Sequence, residues 1–246
     1  MKKLLTLVSA VTAIVAAVPE TSHANVVITG TRVVYRQSDR EVTVKLDNVG
    51  TQPALVQVWA DRGDEKSSPT KADAPFLITP PISRIDPAKG QSIRLIFTGE
   101  NLPADRETVF WLNVLDVPPV PKDADANYIQ LAIRSRIKLF YRPSKLPGTP
   151  DEAARGLKWS LVSQGKGMVL RAENNSAYSV SMNSAAIEVS GQQYKTVGGM
   201  VLPFGSADFV VPGLKGKPAV NSNCTVKYEA VNDYGGPVEL SAQPKL

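Results

Sequence analysis

From residue 26 onward the apolar residues fall in short runs, many of them at alternate positions. In Glu41-Val42-Thr43-Val44-Lys45-Leu46-Asp47 every second side chain is apolar, which turns one face of an extended strand to a core and the other to water. Val56, Val58 and Ala60 repeat the pattern and place Trp59 on the opposite face. Such segments, rich in Val, Ile, Thr and aromatic residues, are punctuated by Gly, Pro, Asn and Asp, whereas helical periodicity is weak. The rhythm predicts an antiparallel sandwich with strands at about 26–35, 41–48, 53–61, 76–85, 91–97, 108–116 and 127–141. Pro80-Pro81 and Asp86-Pro87-Ala88-Lys89-Gly90 supply turn chemistry between them.

The rhythm breaks at Pro143-Ser144-Lys145-Leu146-Pro147-Gly148-Thr149-Pro150, where the prolines cannot continue a hydrogen-bonded ladder. It resumes at Leu157-Val162, Met168-Ala172, Tyr178-Met182, Ala185-Val189, Val201, Phe209-Val211, Cys224-Val231 and Val238-Leu240. The fold expected is all-β, with two immunoglobulin-like β-sandwich domains at 25–143 and 157–246 and a linker at 144–156.

Composition narrows the function. Met1-Lys2-Lys3, the apolar run Leu4–Val18 and Ser22-His23-Ala24 have the layout of a secretory signal peptide, with cleavage expected after Ala24. Removing 24 residues from 246 leaves 222, enough for two domains. The apolar run is short for a membrane span, so no membrane insertion is expected, and a bacterial periplasmic destination fits. Without Lys2, Lys3 and Glu20, 28 basic and 23 acidic residues become 26 and 22, a net charge of +4 with no polybasic block, which argues against nucleic acid. His23 is the sole histidine and leaves with the leader, which excludes histidine-based triads, metal ligands and acid/base pairs. No paired carboxylate motif, phosphate loop or EF-hand is present, so neither catalysis nor a cofactor or metal is expected. Cys224, the sole cysteine, permits no internal disulfide and reads as a buried apolar filler.

The segment from Tyr128 to Tyr141 carries the functional signal. Ile129, Leu131, Ile133, Ile137, Leu139 and Tyr141 share one parity, and Gln130, Arg134, Arg136 and Lys138 the other. A strand of these 14 residues would run about 46 Å at roughly 3.3 Å per residue, past the wall of one sandwich. An edge that projects in this way is a pairing template for another chain.

Arg136-Ile137-Lys138-Leu139-Phe140-Tyr141-Arg142-Pro143, preceded by Asn127-Tyr128-Ile129-Gln130-Leu131-Ala132-Ile133, resembles the last first-domain strand of the periplasmic chaperones that assemble pili through the chaperone-usher pathway. In order along the chain, Thr31-Arg32-Val33-Val34-Tyr35, Thr79-Pro80-Pro81-Ile82-Ser83-Arg84-Ile85-Asp86-Pro87, Asp105-Arg106-Glu107-Thr108-Val109-Phe110-Trp111-Leu112-Asn113 and Asn232-Asp233-Tyr234-Gly235-Gly236 resemble that family too. The resemblance implies two sandwiches joined at an angle, boomerang-like, and a partner that is a pilin or fimbrial subunit lacking its final strand. The chaperone lends a strand to that subunit and delivers it to an outer-membrane usher.

The same resemblance implies residue roles. Ile129, Leu131 and Ile133 would be the donor side chains, Arg32 and Lys138 the anchor for the subunit's C-terminal carboxylate, and Glu107, Arg142 and Asp233 an inter-domain salt-bridge cluster. A free pairing edge also allows a self-capping dimer. The loop Asp116–Ala126 is short and has no bracketing cysteines, like the subclass that builds rod-like pili. An alternative is a cell-surface structural or adhesive sandwich, which the polar ends fit poorly; a glycosidase would need two acidic side chains about 5–9 Å apart in a cleft.

Overall fold

The computed structural model describes residues 25–120, 130–165, 167–219 and 223–246. The expected leader, residues 1–24, and Ile129 lie outside the described residues.

Among the described residues the first domain has nine strands in two facing sheets: β1 (Val26–Ile28), β2 (Arg32–Arg36), β3 (Val42–Asn48), β4 (Ala54–Asp61), β5 (Phe76–Thr79), β6 (Ile82–Ile85), β7 (Gly90–Phe97), β8 (Thr108–Val117) and β9 (Ile133–Arg142). One sheet has the order β1-β3-β7-β5 and the other β2-β9-β8-β4-β6. Alternation decides what is buried. On β3, Val44 and Leu46 point inward while Thr43 and Lys45 stay in water. Asn48 is the polar exception, with Nδ2 donating to the carbonyls of Gln52 and Ile85 and Oδ1 accepting from Gly50 N, so a buried amide closes the turn between β3 and β4. The core gathers Leu46, Val56, Ile93, Leu95, Phe110, Leu112 and Leu139, and aromatic packing extends it through Tyr35, Phe76, Phe97 and Tyr141.

The structure differs from the strand expectations at three places here. The segment 26–35 is two strands: the chain crosses at Thr29-Gly30-Thr31 from one sheet to the other, so β1 pairs with β3 and β2 with β9. Segment 76–85 is likewise two strands on opposite sheets, broken at the cis Thr79–Pro80 bond. The expected long strand begins at Ile133, not near Tyr128, and has ten residues. Its apolar parity is continuous, but pairing with β8 stops at the Asp116–Ile133 rung.

The second domain holds β10 (Lys158–Gln164), β11 (Gly167–Asn174), β12 (Val180–Val189), β13 (Gln192–Val201), β14 (Gly205–Val211), β15 (Cys224–Val231) and β16 (Pro237–Ala242). They form sheets β10-β11-β14 and β13-β12-β15-β16. Their core is separate from the first and includes Trp159, Leu170, Ile187, Val201, Val226 and Tyr228. Cys224 is buried in it, and burial pushes its thiol pKa up. The segments expected at Tyr178-Met182 and Ala185-Val189 merge into the one strand β12, which begins at Val180 and whose register shifts between Met182 and Ser184. β13 is hidden in the sequence by Gly198 and Gly199. Gly198 passes so close to the backbone of Asn183 that a Cβ could not be placed there. The segment expected as a linker contains a short helix, α1 (Pro150–Arg155), whose Thr149 hydroxyl accepts from Glu152 N.

Candidate functional site

The site is built around β9. On one side it pairs antiparallel with β8 from Ile133 to Tyr141. On the other side β2 runs parallel to it and covers only Lys138–Arg142. Among the described residues, the backbone of 133–137 therefore has a single sheet neighbour and leaves its second edge open. Leu131 lies just before the strand and is 64% exposed. Ile133 opens the strand and is half-buried, whereas Leu139 and Tyr141, further along the same parity, are core residues.

The covered part of β9 begins at a pair of cations. Arg32 on β2 and Lys138 on β9 face each other in register. Arg32 Nη1 donates to the carbonyl of Val231 at 3.0 Å and its guanidinium lies 5.8 Å from the Phe140 ring, but its buried Nε has no partner among the described residues. Lys138 Nζ donates to Ser181 Oγ at 2.9 Å and lies 5.9 Å from the Trp111 ring. Neither cation forms an ion pair among the described residues. Burial, and then the charge of Arg32, lower the Lys138 pKa to about 8. Chemically such a pair is able to hold an anion: a carboxylate placed between them would offer an acceptor to the Arg32 Nε and offset the repulsion between the two charges.

Glu107, Arg142 and Asp233 come together where the domains meet. Arg142 Nε donates to Glu107 Oε1 at 2.6 Å, and its two terminal nitrogens donate to Asp233 Oδ2 and Oδ1 at 2.6 and 2.8 Å. Burial alone would lower the Arg142 pKa, but hydrogen bonds and charge from Asp233 and Glu107 outweigh it and hold the guanidinium charged. Glu107 Oε2 accepts from the backbone of Ser179 at 2.8 Å, and Glu107 N donates to the Ala177 carbonyl at 2.9 Å. Asp233 is aimed by a tight turn in which Asn232 Oδ1 accepts from the amides of Tyr234 and Gly236. In that turn Gly235 (φ +83°) rests on Thr31, leaving no room for a Cβ. A cavity of about 110 Å³ opens beside the cluster, with Arg32, Phe140 and Val231 on its lining.

Sequence reasoning missed what braces the outer face of β9. Asp61, 0% exposed, accepts from Ser67 Oγ (2.6 Å), Asn113 Nδ2 (2.7 Å) and an Arg136 terminal nitrogen (2.6 Å). Burial opposes its ionisation, but hydrogen bonds from Ser67, Arg136, Asn113 and Gly63 together hold the carboxyl below its ordinary pKa. Arg136 stacks 4.3 Å from the Trp111 ring and Arg134 5.9 Å from Trp59, while Arg134 also donates to the carbonyls of Ser67 and Glu65. The signal was present as Trp59-x-Asp61, Trp111-x-Asn113 and Arg134-x-Arg136, period-two pairs on three neighbouring strands.

Comparisons with known proteins follow the same lines. Residues 25–147 match the N-terminal domain, and residues 152–242 the C-terminal domain, of the PapD pili and flagellar-assembly chaperones. The probable fimbrial chaperone YadV of Escherichia coli K12 is 45% identical over 232 residues, covering 92% of this chain and 93% of YadV. Its crystal structure superposes with a TM-score of 0.77 over 89% of this chain and 98% of that one, at 44% identity. The Salmonella enterica SafB chaperone, solved in complex with the SafA pilin, superposes with a TM-score of 0.72 at 28% identity, covering 91% of this chain and 98% of that one. These relatives are chaperones, which favours that reading over a surface fibre component. No helix among the described residues is long and apolar enough to cross a membrane. With both domains matched across most of the chain, this protein belongs to the PapD-like family of fimbrial chaperones.

Proposed function

We propose that this chain works in the periplasm, where it binds fimbrial subunits along the open edge of β9 and passes them to an outer-membrane usher. The observation that carries the reading is the junction at Lys138, where a free strand edge meets two cations that form no direct ion pair among the described residues. A subunit's terminal strand would add to 133–137 through main-chain hydrogen bonds, and its C-terminal carboxylate would sit between Arg32 and Lys138. Leu131 and Ile133, with Ile129 before them, would fill the groove of the incomplete subunit. Burying three such side chains contributes roughly 4–9 kcal/mol before ordering costs. The chain acts by binding and not by bond chemistry, a reading supported by its membership of a chaperone family.

In this reading residues 1–24 are a leader cut after Ala24, 25–143 the strand-donating domain, 144–156 the linker and 157–246 the second domain. The Glu107–Arg142–Asp233 cluster fixes the angle between domains, which keeps Ser181 and Val231 against the two cations. Pull-down from periplasmic extract, with the captured partners identified by mass spectrometry, tests the reading. Wild type should capture fimbrial subunits, and Arg32→Ala with Lys138→Ala should not, at unchanged circular dichroism. Capture by the double variant at wild-type strength would remove the anchor.

A further inference from the structure

We propose that Asp116 is a receptor for the α-ammonium created at Asn25 when the leader is removed, so that processing itself locks the first domain. The inference rests on the reading that cleavage follows Ala24. Asp116 lies on the parity of β8 that also carries Phe110, Leu112 and Val114, so its carboxylate is turned to the interior and is 5% exposed. Across the sheet it stands opposite Val56 on β4 and Ile133 on β9. A carboxylate at such an apolar lip requires donors. It has two, the nitrogens of Asn25 at 3.1 Å and Val26 at 3.2 Å, and both address Oδ2. Oδ1 is buried and has no hydrogen-bond partner, and Asp116 forms no ion pair among the described residues.

The chemistry of processing supplies what is missing. Hydrolysis of the Ala24–Asn25 bond by a leader peptidase consumes one water: Ala24 departs with a carboxylate, and Asn25 keeps the nitrogen, which is protonated at neutral pH. An amide nitrogen with one hydrogen becomes an ammonium with three, beside a carboxylate that holds an unused oxygen. Asn25 cannot readily swing away, because its carbonyl accepts from Val49 N at 2.7 Å and β1 is paired to β3 from Val26. The ion pair therefore ties β1 in one sheet to β8 in the other. It does so at the rung where β9 begins, and only after the leader is gone.

The test compares the exported protein, its first residue established by N-terminal sequencing, with a chain carrying one extra glycine ahead of Asn25, each with Asp116 and with Asp116→Asn. The glycine is expected to lower the Tm by roughly 2–6 °C when Asp116 is present and by less than half as much in Asp116→Asn. No shift with Asp116 present, or equal shifts in both backgrounds, overturns the lock. If Asp116→Asn does not fold, Nα-acetylation of the wild-type chain removes the charge directly, and an unchanged Tm overturns the lock equally. An exported protein that begins anywhere but Asn25 overturns the leader reading and the lock together, and the N-terminal sequence tells that failure from the other.

Discussion

The ammonium of Lys138 on β9 reaches Ser181 on β12 at 2.9 Å, so one member of the cation pair is held by the other domain. Its partner Arg32 is tied across the same boundary, to the carbonyl of Val231. The placement of the pair thus depends on the second domain as well as on the strands that carry it.

Affinity for a carboxylate-ended subunit should fall as pH rises through about 8, the depressed value of Lys138. Below that pH the ammonium is already charged; above it, binding must first take up a proton, and affinity declines by up to about tenfold per pH unit. Lys138→Ala should cost roughly 10- to 150-fold near neutrality and abolish this dependence. Calorimetric titration with a peptide of the subunit's last strand, free and C-terminally amidated, reads both effects. A pH profile shared by the amidated peptide would separate Lys138 from carboxylate binding.

Arg142→Ala should destabilise the protein by roughly 3–5 kcal/mol, because it strands the Glu107 carboxylate, whose side chain is 1% exposed. Asp233→Asn, at a side chain 28% exposed, should cost about 1 kcal/mol or less. Urea unfolding measures the difference, and small-angle scattering should report a wider spread of domain angles for Arg142→Ala.

Leu131→Ser separates binding from folding. The side chain is largely in water, so the stability should stay within about 0.5 kcal/mol of wild type, while subunit affinity falls roughly tenfold or more through lost apolar burial. Thermal melts and surface-immobilised subunit binding decide it. An equal loss in both would mean that Leu131 serves its own domain.

Asp61→Asn should cost roughly 3–5 kcal/mol at neutral pH, since Arg136 then loses its only ion-pair partner among the described residues. The folded-state pKa of Asp61 is depressed, so its contribution is present above the ordinary value near about 3.9 and disappears as pH falls through the folded value. Urea midpoints for wild type and variant should therefore converge in acid.

The strand rhythm and the two cores were legible because alternation at Val44, Leu46, Val56 and Val58 is imposed by burial on one face. The chemistry-bearing side chains were legible only through family motifs, because no local pattern marks Arg32 and Lys138 as register partners across a parallel pair. Where the chain crosses between sheets at Gly30, alternation continues on both sides and hides the break. The length of β9 is not legible for a related reason. Apolar parity runs on through Leu131, but a ladder requires a neighbour, and β8 pairs with β9 no further along its own chain than Asp116. The Asp61 network escaped notice because its members are far apart in sequence and look like ordinary surface polar residues until arginines cover them.

Because β2 occupies the edge of β9 from Lys138 onward, any guest strand that slides along residues 133–137 runs into a closed end. The chain reaches that edge from the other sheet through the crossover at Thr29-Gly30-Thr31. A polypeptide with more residues to come would have to turn out sharply at that point, whereas one that finishes there fits. On the proposed reading the geometry would be that of a siding with a buffer stop: it would discriminate tails from loops by where the track ends, before any side chain of the guest is read.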